Sequence, residues 1–288
     1  METQKKAYAY AITSVLIWST VASAFKISLR YINFIQLLFY ASLTSFFVLF
    51  LILIFQKKIK LLMSFSKKDY LNSAFLGFLN PFLYYIVLFR AYSLLKAQEA
   101  QALNYIWGVV LAILSIPLLK QKIGIKNISG ICVSFVGAFI ISTEGRFSFH
   151  FSDLEGIILA LGSAFIWATF WIFNVRDKRD EVAKLFLNFL FGIIFITIFM
   201  FSISEKFSDE MEGIAGAIYV GIFEMGITFV IWIKALKLSK TSAQVGNLIY
   251  LSPFLSLVII HFLVGEKILL STPIGLIFII SGIIIQYR

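Results

Sequence analysis

Charged residues are scarce in this sequence. They make up 14% of its 288 residues, whereas a soluble globular domain carries roughly 25%. The chain has one cysteine and two histidines, so it cannot form an internal disulfide and lacks the spacing of a Cys/His metal site. It has no glycine-rich phosphate loop of the Walker type, which argues against ATP hydrolysis. We therefore predict no metal, no cofactor and no metal-dependent hydrolysis.

Apolar residues, in contrast, are abundant. They make up 60% of the chain and include 32 phenylalanines, and the mean hydropathy is +0.93. The net charge of +10 does not predict nucleic-acid binding, because the basic residues lie in short gaps between apolar runs and not on an extended polar surface. These features indicate that this chain is embedded in a lipid bilayer.

Ten apolar runs are long enough to cross a hydrocarbon core of about 30 Å, which needs roughly 20 helical residues. Backbone amides cannot stay unpaired in lipid, so each run is predicted to be helical. The first run contains Ala22-Ser23-Ala24 and resembles a cleaved signal segment, but its length favours a membrane span. The predicted fold class is all-α integral membrane, with ten transmembrane helices near 8–29, 34–56, 70–93, 97–119, 125–142, 153–174, 183–203, 213–234, 241–263 and 271–287.

The basic residues also predict the orientation. With the N-terminus inside, 18 of the 25 Lys and Arg residues fall in inner segments, in agreement with the excess of positive charge on cytoplasmic loops. The densest group runs from Lys57 to Lys68 and could also contact anionic lipid. We predict a multi-pass protein of the inner (cytoplasmic) membrane with both termini in the cytoplasm.

Four groups of residues recur in the same order along the chain, at offsets of 143 to 149 residues. Because five helices is an odd number, the second half enters the membrane from the opposite side. The halves, 1–147 and 148–288, are therefore predicted to be inverted five-helix repeats, as in transporters that open a central site alternately to either side. The matched residues are Trp18 with Trp167, Gly77 and Arg90 with Gly221 and Lys234, Gln101 and Asn104 with Gln244 and Asn247, and Gly130 and Gly137 with Gly275 and Gly282.

The ten spans, the repeat, the tryptophans of spans one and six and the small-residue fifth and tenth helices resemble the drug/metabolite transporter superfamily, EamA type. Trp18-Ser19-Thr20, Asn104-Tyr105-Ile106-Trp107 and Ala164-Phe165-Ile166-Trp167-Ala168 are similar to the branch that includes aromatic amino-acid exporters. The chain departs from the usual family pattern at Phe39-Tyr40 and at Gly108. The resemblance implies a transporter with a binding site between its halves.

Ionisable residues at bilayer depth are costly and are functional candidates by default. Glu224 lies near the middle of the eighth span, and its counterpart at an offset of 144 is Asn80. Glu224 could bind a substrate ammonium group or a coupling proton, or it could only fix helix packing through hydrogen bonds. Arg90 could meet a substrate carboxylate or could extend to the lipid headgroups.

Aromatic and amide side chains complete the predicted substrate site. Pro81 and Pro253 are predicted to interrupt the third and ninth helices near mid-membrane, where other groups must pair with the freed carbonyls. The predicted substrate-binding set is Trp18, Ser19, Thr20, Asn80, Tyr84, Arg90, Gln101, Asn104, Trp107, Trp167, Glu224, Gln244, Asn247 and Tyr250.

The sequence thus predicts a secondary transporter, most consistent with an exporter of amino acids or related metabolites. A cationic drug and a nucleoside or cofactor are the alternative substrates. A channel is disfavoured because no filter motif or ring of like charge is present, and an intramembrane enzyme because no acid–base pair is apparent. The predicted partners are a small-molecule substrate, the lipid bilayer and, as a candidate coupling ion, the proton.

Overall fold

A computed structural model describes residues 2–119, 125–145, 153–239 and 247–287. All regular secondary structure in these ranges is helical. Six helical segments are long and apolar enough to cross a membrane: Glu2–Ser28, Phe34–Phe55, Lys67–Leu94, Leu154–Asn174, Glu181–Ser202 and Met211–Leu238. The chain is therefore a multi-pass integral membrane protein.

Helices are numbered here in chain order, and two short turns of other helical types separate some of them. A wide turn, Phe78–Leu83, follows α4, and a tight turn, Asn247–Leu251, precedes α13. The helices are α1 (Glu2–Ser28), α2 (Phe34–Phe55), α3 (Ile59–Met63), α4 (Lys67–Gly77), α5 (Tyr84–Leu94), α6 (Ala97–Asn104), α7 (Trp107–Leu119), α8 (Ile125–Ser142), α9 (Leu154–Arg176), α10 (Glu181–Ser202), α11 (Met211–Phe223), α12 (Ile227–Leu238), α13 (Ser252–Val264) and α14 (Ser271–Tyr287).

Several predicted spans are more irregular than hydropathy alone indicates. The fourth is divided at Tyr105-Ile106 into α6 and α7. The ninth is described only from residue 247, and Pro253 lies in the first turn of α13, where proline is compatible with a helix. Pro253 thus stands where the tight turn 247–251 gives way to α13, within the predicted ninth span, and the predicted interruption at Pro81 is confirmed. The full count of ten spans stays a prediction.

Side-chain caps fix where the chain re-enters the bundle. The Asn33 side chain accepts hydrogen bonds from the first turn of α2, and Gln36 bonds back to the Asn33 amide. Asp180 caps α10 through the amides of Val182 and Ala183 and also pairs with Lys58 at 2.7 Å. Such caps satisfy amides that have no partner within their own helix.

The helical path is broken at two positions within the long apolar segments. At the first break Asn80 has φ −151° and ψ 118°, next to the buried Pro81. At the second, residues 224–226 separate α11 from α12, and Gly226 has φ −102° and ψ −94°. Asn80 and Glu224 are the counterparts at the offset of 144 found in the sequence. The two breaks therefore fall at corresponding places in the two halves.

Glycines let helices of the two halves approach closely at similarly matched positions. A Cβ atom at Gly77 would collide with the carbonyl oxygen of Asn188, and one at Gly221 with that of Ala41. Gly137 and Gly275 face each other, and a Cβ on either would lie 2.5 or 2.6 Å from the carbonyl oxygen of the other. Close backbone approach through small residues is how membrane helices associate without a hydrophobic driving force.

The glycine contact between α11 and α2 gives a stability prediction. Gly221→Ala should lower the free energy of unfolding by about 1–3 kcal/mol, because the added methyl group would displace α2 from α11. Gly162→Ala is the matched control, since a Cβ there meets nothing within 4 Å. Thermal melting of both variants in detergent checks this, and equal melting temperatures would contradict the packing described.

Candidate functional site

Glu224 lies at the second helix break, directly after the last residue of α11. Its Oε1 accepts a hydrogen bond from the Tyr85 hydroxyl at 3.0 Å. Its Oε2 is buried and has no hydrogen-bond partner among the described residues. A buried carboxylate oxygen without a partner is energetically costly. Binding a cation or a proton would offset this cost, so Glu224 is a candidate site for either.

A series of contacting aromatic rings begins at Tyr85, the hydrogen-bond partner of this carboxylate. Tyr85 is fully buried and its ring lies 4.7 Å from that of Tyr84, which stacks on Trp167 at 4.6 Å. Trp167 in turn contacts Phe229, whose ring meets Trp18 edge-on at 6.2 Å. These five side chains, here termed the aromatic cluster, come from α1, α5, α9 and α12 and so join both halves of the chain.

A polar chain runs from the aromatic cluster into α6 and α9. The Tyr84 hydroxyl donates to Asn104 Oδ1 at 3.4 Å, and Asn104 Nδ2 donates to Ser163 Oγ at 2.8 Å. Buried polar groups in an apolar bundle need such partners. With the ring contacts above, this network brings the predicted residues Tyr84, Asn104, Trp167 and Glu224 into one region, and their role in substrate binding stays a prediction.

A second polar chain links α1, α6 and α13. Gln101 Nε2 donates to Ser256 Oγ at 2.8 Å, and the Ser256 hydroxyl donates to the backbone oxygen of Ser19 at 2.7 Å. Thr20 Oγ1 and the Tyr219 hydroxyl are 2.6 Å apart. The predicted residues Ser19, Thr20 and Gln101 thus form interhelical contacts, while Ser256 and Tyr219 are partners that the sequence did not predict.

Other predicted residues are placed differently. Arg90 pairs with Glu155 at 3.0 Å and is not part of the aromatic cluster. Asn80 is buried at the first break, and neither of its amide atoms has a partner among the described residues. Trp107 and Tyr250 are half-buried and pack against the main apolar core. Gln244 lies outside the described residues, and Asn247 is described only by its backbone.

A cavity lies away from this region, at the end of the bundle that carries the connection 177–180. We call this the Asp180 end. The cavity has a volume of about 370 Å³ and adjoins a second of about 200 Å³, with which it shares Glu181, Ile233 and Lys237. The other polar residues that line the two cavities are Gln56, Lys58, Asn174, Asp180, Lys184 and Lys234.

Contacts between helices close the opposite end, which carries the connection 265–270 and is here termed the Glu266 end. Glu266 accepts hydrogen bonds from the backbone amides of Ala97 and Gln98 at 2.8 and 3.3 Å. Gln98 Oε1 accepts from the amide of Leu269 at 3.0 Å, and Lys26 donates to the carbonyl oxygen of Tyr92 at 2.8 Å. These bonds tie α6 to the connection after α13 and α1 to α5.

A family model of EamA-like transporters matches the chain twice, over residues 5–143 and 154–288. The chain belongs to the EamA-like transporter family. The two matched segments together cover most of the sequence, and each contains one of the helix breaks. Each copy of the family model therefore includes one of the corresponding residues Asn80 and Glu224.

Similar proteins support the same class of function. An uncharacterized transporter of Archaeoglobus fulgidus is 26% identical over 275 residues, covering 94% of this chain and 93% of that protein. One of Clostridium kluyveri is 30% identical over 190 residues, and the match spans 61% of this chain and 60% of that relative. A solved crystal structure with 17% identity covers 98% of this chain and 96% of its own with a TM-score of 0.66, which shows a shared fold. The EamA-family protein described here is thus a small-solute transporter.

The hydrogen bond between Tyr85 and Glu224 gives a second prediction. Tyr85→Phe should lower the free energy of unfolding by about 1–3 kcal/mol, because it leaves a buried carboxylate without its donor. In a Glu224→Leu background the same substitution should cost less than half as much, since no acceptor remains. Melting of the four proteins of this cycle measures the coupling. Equal costs in the two backgrounds would exclude a stabilising interaction between the side chains.

Proposed function

We propose that this EamA-family protein is a secondary active transporter that exports amino acids or related small metabolites by alternating access. The observation that carries the proposal is the Glu224 oxygen that has no partner in the part of the chain that the structure describes, at a helix break inside the apolar bundle and beside an aromatic cluster. Interrupted helices with exposed binding groups near the midplane are typical of transporter substrate sites. The carboxylate is suited to the ammonium group of an amino acid.

Alternating access is supported by features that occur once in each half. The two helix breaks and the close contacts of Gly77 and Gly221 fall at the repeat offset of 144 residues, and Gly137 contacts Gly275 across the two halves. Two halves of opposite orientation can exchange conformations, so that the site opens first to one side and then to the other. The duplicated match to the family favours the same arrangement.

The two ends of the bundle differ, in that one has cavities and the other has hydrogen bonds between helices. This difference supports a transporter whose entrance is open at one end. The cavities lie at the Asp180 end, whereas the bonds of Glu266, Gln98 and Lys26 join helices at the other end. The lysine-rich loop from Lys57 to Lys68 lies at the Asp180 end, which on the positive-inside rule is the cytoplasmic side. An entrance on that side suits an exporter in the inner membrane with both termini in the cytoplasm.

A cationic drug is the second candidate substrate. The aromatic cluster adjoins the Glu224 carboxylate, and aromatic faces next to a carboxylate attract organic cations. Both candidate substrates place a positively charged group at Glu224. They differ in that an amino acid also carries a carboxylate, whereas a cationic drug does not. A nucleoside or cofactor would need a different explanation for the carboxylate.

Substitution of Glu224 tests the role of its charge. Glu224→Gln keeps the shape and the acceptor for Tyr85 but removes the titratable group, so the protein should fold while flux falls at least about tenfold, the effect of losing one charged contact worth about 1.4 kcal/mol. Glu212→Gln, an exposed position in the first turn of the same helix, should retain normal flux.

Flux is measured in proteoliposomes against a panel of amino acids and organic cations, with and without a pH gradient, and melting is measured on the same samples. Wild-type flux and pH dependence in Glu224→Gln would exclude the functional role. If amino acids are not transported but organic cations are, the cationic-drug alternative replaces the proposal.

A further inference from the structure

The two cavities at the Asp180 end contain more positive than negative charge. Four lysine side chains line them, against only two carboxylates. The segments outside the described residues contain no Asp or Glu, so they cannot supply a further side-chain carboxylate. The lining lysines are Lys58, Lys184, Lys234 and Lys237, and the carboxylates are those of Asp180 and Glu181.

Two of the lysines are already neutralised. Lys58 pairs with Asp180 at 2.7 Å. Lys184 is buried and uses all three donors, pairing with Glu181 at 2.7 Å and donating to the backbone oxygens of Asn174 and Asp177, each at 3.1 Å. An ammonium group has three donors and no acceptor, so Lys184 has no donor left for a ligand.

The other two lysines are available. Lys237 is exposed and reaches only Glu181, at 3.8 Å, whose carboxylate already pairs with Lys184. Lys234 has no carboxylate within 4.0 Å in the described ranges. Lys234 and Lys237 are three residues apart on α12 and therefore lie on the same face. The corresponding cation in the other half, Arg90, is paired with Glu155.

Apolar side chains adjoin these free cations. The larger cavity is also lined by Trp171, Ile233 and Leu236. A solute with a negative group and an apolar body can place the first near the lysines and the second against these side chains. A cationic solute would instead meet net positive charge before it reached Glu224.

We propose that Lys234 and Lys237 form an entry site for the carboxylate of a partly apolar solute. This inference rests on the proposed function, since it assigns the carboxylate of an amino acid to the two cavities at the Asp180 end and its ammonium group to Glu224. The two charged sites would be visited in sequence, because Lys234 lies ten residues after Glu224 in the sequence, and the part of α12 from Ile227 to Lys234 alone rises about 10 Å at 1.5 Å per residue. The site therefore selects solutes that carry a carboxylate and disfavours simple organic cations.

Binding by the purified full-length protein tests this site without requiring flux. The probes share a phenyl group that fits the apolar lining: 3-phenylpropionate, 2-phenylethylamine and phenyl phosphate. Calorimetry should show a Kd for 3-phenylpropionate that rises about two- to fivefold in Lys234→Gln and in Lys237→Gln, as for exposed ion pairs. The double variant should show about a tenfold rise, and added salt should weaken wild-type binding.

Lys68→Gln is the matched control, because Lys68 is an exposed lysine at the same end that does not line the cavities. It should leave all Kd values unchanged, and none of the lysine variants should weaken binding of 2-phenylethylamine. The proposal is overturned if the wild type does not bind 3-phenylpropionate, if phenyl phosphate binds and 3-phenylpropionate does not, or if Lys68→Gln has the same effect as the cavity variants. If the wild type transports none of the tested solutes but the lysine variants show the expected changes in Kd, the proposed transport function is contradicted and the binding site stands.

Discussion

Backbone amides and carbonyls inside a membrane must find partners within the protein, and the rest of this structure depends on how that constraint is met at two helix breaks. At the second break the Thr228 hydroxyl donates to the carbonyl oxygen of Phe223, which the interrupted helix leaves exposed. Gly226 allows the chain to turn where a Cβ would lie 2.8 Å from the carbonyl oxygen of Gly221. A local hydrogen bond thus supports the break, and the break places Glu224 within the bundle with one oxygen unpaired among the described residues.

Charged residues are paired differently at the two ends of the bundle. At the Glu266 end the ionic and polar groups bond to each other and to backbone atoms, as Glu266 does with Ala97 and Gln98. At the Asp180 end Lys234 has no carboxylate within 4.0 Å among the described residues, and Lys237 reaches only the shared Glu181 at 3.8 Å, beside the cavities that both lysines line. Free charge attracts a counter-charged solute over distances of about 10 Å at 0.1 M salt, whereas paired charge holds helices together. The same residue types therefore join helices at one end, whereas at the other end the proposed entry site would use them to attract the solute.

Much of the fold follows from sequence because hydropathy alone requires long helices in lipid. The match between Asn80 and Glu224 was visible in the repeat, and Pro81 indicated the first break. The second break was not predicted, because Met225-Gly226 contains no proline and glycine is common in membrane helices. Pro253 indicated an irregularity in the ninth span, but the bounds of the tight turn before it were not predicted, since its residues are as apolar as the helix that follows.

The site was predicted less completely, for a physical reason. Residue type and depth identified Glu224, Tyr84, Asn104 and Trp167, because polar and aromatic groups at mid-span need partners. Which way a side chain faces depends on packing between helices far apart in sequence. Arg90 therefore pairs with Glu155 at the surface, while Trp171, Glu181 and Lys237 line the cavity although they were absent from the predicted set.

Alternating access is the central claim, and pulsed electron–electron double resonance, which measures distances between two spin labels, tests it most directly. In a Cys132→Ser background, one spin-label pair at positions 30 and 264 reports on the Glu266 end, where Arg30 donates to the Val264 oxygen at 2.6 Å. A second pair at positions 60 and 238 reports on the Asp180 end. With a transported substrate in liposomes, the account predicts a second population in each pair, with a longer distance at the Glu266 end and a shorter one at the Asp180 end. A single unchanged distance in both pairs, in protein that still transports, would contradict it.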